Sequence, residues 1–288
     1  MRNYILFNPL AGHGDHEIQL DALEKQLEGE CIRKDIREIE SYKDFMGALT
    51  AEDRIVLCGG DGTLNRFVNG VDTDTFENEI LYYAVGSGND FLHDIDGQSA
   101  DKPFRVNEYL KELPTVDVNG KTYKFINGIG YGIDGYCCEV GDKLKAENKT
   151  VNYTSIAIKG LLFHYKRTNA TVIVDGESHS YKKVWLAPVM NGRYYGGGMM
   201  MAPKQDRLNK HHTLSSVVLH DSGKIKTLIV FPSIFKGEHT THTEMVSIHT
   251  GKEITVKFDK PTALQIDGET VLGVTEYTVK AGVPAKIG

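Results

Sequence analysis

No stretch of this 288-residue chain stays apolar for 18 positions, so no segment has the length of a membrane-spanning helix. Cysteine is scarce: the four residues Cys31, Cys58, Cys137 and Cys138 include no C-x-x-C pair. That argues against a zinc site and predicts a reduced, cytoplasmic protein, in which the sequons at Asn148, Asn152 and Asn169 are chance matches. Positive charge is in deficit, with 33 Lys and Arg against 39 Asp and Glu and a net charge of −6. That argues against a general nucleic-acid binder. No P-loop is present, because Gly120-Lys121-Thr122 lacks the earlier glycine. There is no repeat and no low-complexity segment. The apolar run at residues 4–7 is too short for a secretion signal and reads as a first strand.

What remains is ordinary globular composition, 40% apolar and 25% charged, in a length that suits two domains. The most informative stretch is Val56-Leu57-Cys58-Gly59-Gly60-Asp61-Gly62-Thr63-Leu64-Asn65. A β-prone run feeds a glycine-rich turn, and Leu64, Phe67 and Val68 follow at helical spacing. Glycines let backbone N–H groups approach an anion, and a helix start adds partial positive charge. Asp61 inside such a loop would repel a phosphate unless a cation lies between them. The motif therefore suggests a metal–nucleotide site, with an ordinary βα turn as the bland alternative.

Along the chain, strands at 4–7, 31–39, 54–58 and 80–85 alternate with helical patterns at 20–27, 43–50 and 63–71. This order predicts a doubly wound α/β domain with a parallel sheet over residues 1–116. Three polar turns, 8–14, 59–63 and 86–90, follow strands and are expected to converge at the carboxyl edge of that sheet. From 117 to 288 short alternating β runs dominate, interrupted by one helical stretch near 151–166, and predict an antiparallel β-sandwich.

These residues resemble the diacylglycerol kinase catalytic-domain family, soluble lipid kinases that include bacterial diacylglycerol kinases and sphingosine kinases. The resemblance runs through Asn8-Pro9-x-Ala11-Gly12, Gly59-Gly60-Asp61-Gly62-Thr63-Leu64-Asn65 and Gly88-Asn89-Asp90-Phe91. It continues in residues 125–134 and 191–199 and ends in Leu264-Gln265-Ile266-Asp267-Gly268-Glu269. It implies an NAD kinase-like α/β domain, and an ATP site between that domain and the β domain. The family's nucleotide contacts would fall on Asn8, Pro9, Ala11, Gly12, Ser41, Gly59, Gly60, Asp61, Gly62, Thr63, Asn65, Ser87, Gly88 and Asn89. Its magnesium and water network would fall on Asp61, Asp90 and Glu269, and the base that takes a lipid hydroxyl proton on Asp267 or Glu269. Phosphoryl transfer asks for this much: positioning, a bridging cation and a carboxylate near the attacking hydroxyl. A bland reading of Asp267-Gly268 stays beside it, since Asp-Gly is the usual hairpin pair.

Two departures stand out. Arg66 replaces the glutamate usual in the family, and Ala202-Pro203 is followed by Lys204-Gln205-Asp206-Arg207 where relatives carry paired acids. A second, structural Mg²⁺ site is therefore expected to be absent there. Gly130-x-Gly132-x-x-Gly135 reads as a structural turn without a strand–helix unit, and His239 and His242 as surface histidines. Met199-Met200-Met201 and Leu161-Leu162-Phe163 suit either a lipid pocket or the core.

Residues 143–183 carry eight bases against three acids and suggest peripheral contact with an anionic membrane, or else a solvated face. An exposed edge strand in either sheet could make a homodimer. The functional expectation is an ATP- and Mg²⁺-dependent kinase for diacylglycerol or a related lipid. The rivals are an NAD kinase-like small-molecule kinase and a non-catalytic nucleotide- or lipid-binding relative.

Overall fold

In a computed structural model, residues 1–9, 16–86 and 88–282 are described. The expected nucleotide contacts Ala11, Gly12 and Ser87 lie outside them. The chain forms two units that divide between Leu113 and Pro114.

In the first unit, β1 (Arg2–Phe7), β2 (Glu30–Asp35), β3 (Arg54–Gly59), β4 (Ile80–Ala84) and the short β5 (Phe104–Arg105) form a sheet in the order β2-β1-β3-β4-β5. The first four are parallel and β5 is an antiparallel edge. Helices α1 (His16–Glu24), α2 (Tyr42–Gly47), α3 (Asp61–Gly70) and α4 (Asp90–Asp94) fall between strands. Leu20 and Leu23, one helical turn apart, bury against Ile5, Val56 and Tyr83. Each such fully buried aliphatic contributes roughly 1.5–3 kcal/mol. From β1 the chain passes to β2 on one side, and later from β3 to β4 on the other. The topological switch therefore lies between β1 and β3, where open α/β sheets bind their ligands.

The second unit is an antiparallel sheet of ten strands. They are β6 (Thr115–Val118), β7 (Lys121–Lys124), β8 (Gly128–Tyr131), β9 (Thr168–Val174), β10 (Glu177–Val184), β11 (Val189–Met190), β14 (Leu214–Leu219), β15 (Val246–Gly251), β16 (Glu253–Ile266) and β17 (Glu269–Lys280). A separate ribbon pairs β12 (Tyr194–Tyr195) with β13 (Met199–Met200). β16 is long enough to pair with β9 through residues 254–258 and with β8 through 264–266, lying beside β17 throughout. Bulges between Lys257 and Leu264 let it change partner. β6, which crosses the boundary expected after residue 116, pairs entirely within this unit.

Three helices accompany the sheet: α5 (Ile133–Ala146), α6 (Tyr153–Lys159), which widens into a π-helical turn at Gly160–His164, and α7 (Lys224–Val230). Only the second follows from the sequence pattern. The glycine triplet at 130–135 therefore does sit between a strand and a helix, contrary to expectation, although in an antiparallel sheet. Its glycines serve packing. Gly132 has φ 108°, and a Cβ on Gly130 would stand 2.5 Å from the Gln265 amide. His239 is also not a surface residue: it is buried, with Nε2 3.0 Å from the Met201 carbonyl oxygen. All four cysteines are free thiols. No helix among the described residues is long and apolar enough to cross a membrane.

Candidate functional site

β1, β3 and β4 end in register, with Phe7 beside Cys58 and Cys58 beside Tyr83. The described residues that follow them, Asn8 and Pro9, Gly60, and Val85 and Gly86, therefore leave the sheet at one edge, while 10–14 of the first turn lie outside the described residues. Val85 donates to the Gly59 carbonyl at 3.0 Å and ties the second turn to the third. Gly60 and Gly86 then meet backbone to backbone. A Cβ on Gly86 would stand 2.6 Å from the Gly60 Cα and 2.8 Å from Asn89 Oδ1. Only glycine at both positions permits this approach. Around Gly62 nothing lies within 4 Å of where a Cβ would be, so the start of α3 presents bare backbone.

Asp61, the first residue of α3, closes the arrangement. Its carboxylate accepts from the Asp90 and Phe91 backbone N–H groups, each at 2.9 Å. It thus caps α4 from a neighbouring loop, worth about 1 kcal/mol or more. Asn89, before α4, takes the left-handed conformation at φ 48°, and its Oδ1 is buried without a hydrogen-bond partner. Asp90 is buried. Thr63 and Asn65 are buried on α3, and the Asn69 amide donates to the Asn65 carbonyl at 2.9 Å. Beneath lies Tyr82, whose phenol is pushed far up by burial first and then by Asp61 and nearby groups. Gly59, Gly60, Asp61, Gly62, Gly88, Asn89 and Asp90 thus belong to one loop cluster, and Asn8 and Pro9 follow β1 at the same sheet edge.

Two residues are committed elsewhere. Ser41 caps α2, its hydroxyl accepting from Asp44 N–H at 3.2 Å. Arg66 lies exposed on α3, its guanidinium bonded to the Tyr42 phenol and close to Asp35.

In the second unit, Asp267 and Gly268 form a two-residue hairpin between β16 and β17, with φ 45° and 99°. Positive φ at both positions is what a primed turn requires. The Asp267 carboxylate is also held from below: Oδ2 accepts from Ile126 N–H at 2.6 Å, and Oδ1 from Asn127 and Gly128 N–H at 2.9 and 3.0 Å. The Asp267 N–H returns a bond to the Gly128 carbonyl at 3.2 Å. Glu269, two residues on, is exposed at the start of β17. Arg207, from the segment where relatives carry paired acids, reaches the Ile126 carbonyl at 3.3 Å and Asn127 Oδ1 at 3.1 Å. A guanidinium thus helps to hold the strand entry that cradles Asp267.

Sequence reasoning missed Asp134. It lies in the first turn of α5, its carboxylate accepts from the Tyr195 hydroxyl at 2.6 Å, and burial pushes its pKa up to about 7. An acid in the first turn of a helix directly after an apolar strand is the signal that could have found it.

No cluster of three or more His, Cys, Asp or Glu able to hold a metal forms among the described residues. The donors in the first unit, Asp61, Asp90 and the unpartnered Asn89 oxygen, are all oxygen, as Mg²⁺ prefers.

Comparison with known proteins supports the resemblance. The diacylglycerol kinase catalytic domain matches residues 2–118, and the YegS C-terminal NAD kinase beta sandwich-like domain matches 127–286. The "Putative lipid kinase YtlR" of Bacillus subtilis is 23% identical, covering 95% of this chain and 94% of its own. A "Diacylglycerol kinase" of Mycobacterium tuberculosis is 23% identical over 89% of this chain and 84% of its own. The crystal structure of a "putative diacylglycerol kinase" from Bacillus anthracis superposes with a TM-score of 0.67 at 19% identity, covering 97% of this chain and 91% of that one. The α/β sheet with its glycine-lined edge and the antiparallel unit with its Asp-Gly hairpin are thus the two halves of one family architecture, and the chain belongs to the diacylglycerol kinase catalytic-domain family with a YegS-type C-terminal domain.

Proposed function

We propose that this chain is an ATP-dependent kinase that transfers the γ-phosphate to a hydroxyl of diacylglycerol or a related lipid. The observation that carries the reading is the Gly60–Gly86 backbone contact beside Asp61, next to which the start of α3 at Gly62 presents bare backbone of the kind that receives phosphate. In this reading the backbone of Gly59–Thr63, with Asn8, Pro9, Asn65, Gly88 and Asn89, receives the nucleotide. Asp61, Asp90 and the unpartnered Asn89 oxygen would hold Mg²⁺, which neutralises charge on the transferring phosphate when bound.

Of the two acids named for the proton, Glu269 is the better fit. Both Asp267 oxygens are already engaged by three backbone amides, so Asp267 serves to hold the hairpin. Glu269 projects from its end with its carboxylate exposed. A general base of this kind contributes roughly 10²–10⁴-fold.

The test is incubation of the purified chain with γ-labelled ATP, Mg²⁺ and a total lipid extract, with mass spectrometry of the product. The expected result is label in a phosphorylated lipid alcohol. Label appearing only in NADP when NAD is supplied would make the chain a small-molecule kinase. Nucleotide binding without transfer to any lipid would make it a binding protein.

A further inference from the structure

Six of the eleven large hydrophobic side chains that stand exposed among the described residues fall in two segments of the second unit. On α6 and its π-helical turn these are Tyr153, Ile158 and Phe163, and on α7 and the turn after it Ile225, Ile229 and Phe235. Phe163, Ile225 and Ile229 are the most exposed, at 74, 74 and 73%. Ile225 and Ile229, four apart on α7, share a face, while Thr227 and Val230 on the other side are buried.

The two segments are stitched together. Lys224 Nζ donates to the Leu162 carbonyl at 2.6 Å, and Arg167 donates to the Ser222 carbonyl at 2.5 Å. Arg167 also lies 5.0 Å above the ring of Trp185, whose indole N–H reaches the same Ser222 carbonyl at 3.2 Å. The exposed side chains therefore stand on neighbouring elements fixed to each other and to the core.

Charge singles out the same surface. Residues 153–167 and 222–237 hold six Lys and Arg and no Asp or Glu, in a chain where acids outnumber bases. Lys226 is paired with Glu244 at 2.7 Å. Lys159, Lys166 and Lys236 are exposed and form no ion pair among the described residues. The bases of the lysine-rich 143–149 stretch behave differently: Lys143 pairs with Glu139 at 2.6 Å, Lys145 with Asp142 at 3.6 Å and Lys149 with Glu147 at 2.6 Å. The positive field therefore belongs to the apolar face.

Exposed apolar side chains with exposed, unpaired lysines in the same segments are the composition of an interfacial membrane anchor. We infer that the α6–α7 face docks this protein onto an anionic phospholipid bilayer, with Phe163, Ile225 and Ile229 entering the interface and Lys159, Lys166 and Lys236 on the headgroups. Its purpose, reaching a substrate held in the bilayer, rests on the lipid-kinase reading above. The docking itself does not.

The experiment is co-sedimentation of the full chain with phosphatidylcholine vesicles, with and without about a third phosphatidylglycerol. The expected result is binding to the anionic vesicles that falls at least about tenfold in Ile225→Ser/Ile229→Ser and in Lys159→Glu/Lys236→Glu. Added salt is expected to weaken the wild type but leave little further to lose in the charge variant. All four positions are exposed, and unchanged melting temperatures show that the variants fold. Equal binding to neutral vesicles, or binding unaffected by both double substitutions, would overturn the proposal. So would a wild-type dimer that Ile225→Ser/Ile229→Ser turns into a monomer without altering vesicle binding. Phosphorylation of lipid in detergent micelles reports separately on the kinase reading: a chain active there that ignores anionic vesicles overturns docking alone.

Discussion

Asp61 and Asp267 occupy similar corners of the two units, and both are the acids a motif reading marks as reactive. In each, the carboxylate accepts hydrogen bonds from backbone amides. Asp61 takes the N–H groups of Asp90 and Phe91, and Asp267 those of Ile126, Asn127 and Gly128. The difference lies in what stands beside them. Next to Asp61 are a second acid, the buried Asp90, and an unpartnered amide oxygen, Asn89 Oδ1. Next to Asp267 is a single exposed acid, Glu269. The first corner carries oxygen donors from two adjoining turns, and the second presents one exposed carboxylate at a hairpin. A carboxylate in a motif can thus be the strut that holds the chemistry rather than the group that performs it.

Substitutions at the hairpin separate strut from reactant. Glu269→Gln is expected to lower kcat by about 10²–10⁴-fold with an unchanged melting temperature, because the side chain packs on nothing essential. Asp267→Ala leaves three buried backbone donors without their acceptor and is expected to cost about 2–4 kcal/mol in urea unfolding. Full activity in Glu269→Gln, with a stable but inactive Asp267→Ala, would reverse the two roles.

A smaller effect sharpens the contrast between the corners through their glycines. Gly86→Ala pushes a methyl against the Gly60 Cα and is expected to cost about 1–3 kcal/mol while weakening ATP binding at least about tenfold. Gly268→Ala meets no atom within 4 Å, and its cost is the strain of φ 99° alone, about 1 kcal/mol, with ATP affinity unchanged by isothermal titration. Equal losses of ATP affinity in both variants would remove the distinction.

The difference between these corners also explains what was readable in advance. Ile55–Leu57 followed by Gly59-Gly60 announces a strand and a tight turn, because local chemistry decides both. The parallel order of β1 to β4 follows from strands and helices taking turns. α5 was unreadable for the opposite reason. Gly135 and Gly141 are poor helix formers. They are present because Gly135 packs closely against the Ala263–Leu264 backbone, and Gly141 against the Tyr153 ring, which are tertiary contacts. The grip of 126–128 on Asp267 joins residues 139 to 141 apart in the chain, and Asp-Gly spells a hairpin whether or not such a grip exists. The α6–α7 face was half visible, since its lysines in 159–167 are a local feature, whereas the return of 224–236 to the same place is not.

Asp134 offers the mildest test, because it is the acid without such amides. Its hydrogen bond comes from the Tyr195 hydroxyl, and burial, the larger influence, raises its pKa to about 7. In the unfolded chain the same group ionises near pH 4. Between those values the folded state holds a proton that the unfolded state has lost. Stability is therefore expected to fall as pH rises from about 4 to 7 and to level off above. Asp134→Asn removes the titrating group while keeping an acceptor for Tyr195. It should raise stability at pH 8 by about 1–2 kcal/mol, change little at pH 4, and flatten the profile between them. Urea unfolding at the two pH values checks this. A variant less stable at pH 8 would mean that the ionised carboxylate is held by donors as effective as those at Asp61 and Asp267, and the contrast among the three acids would disappear.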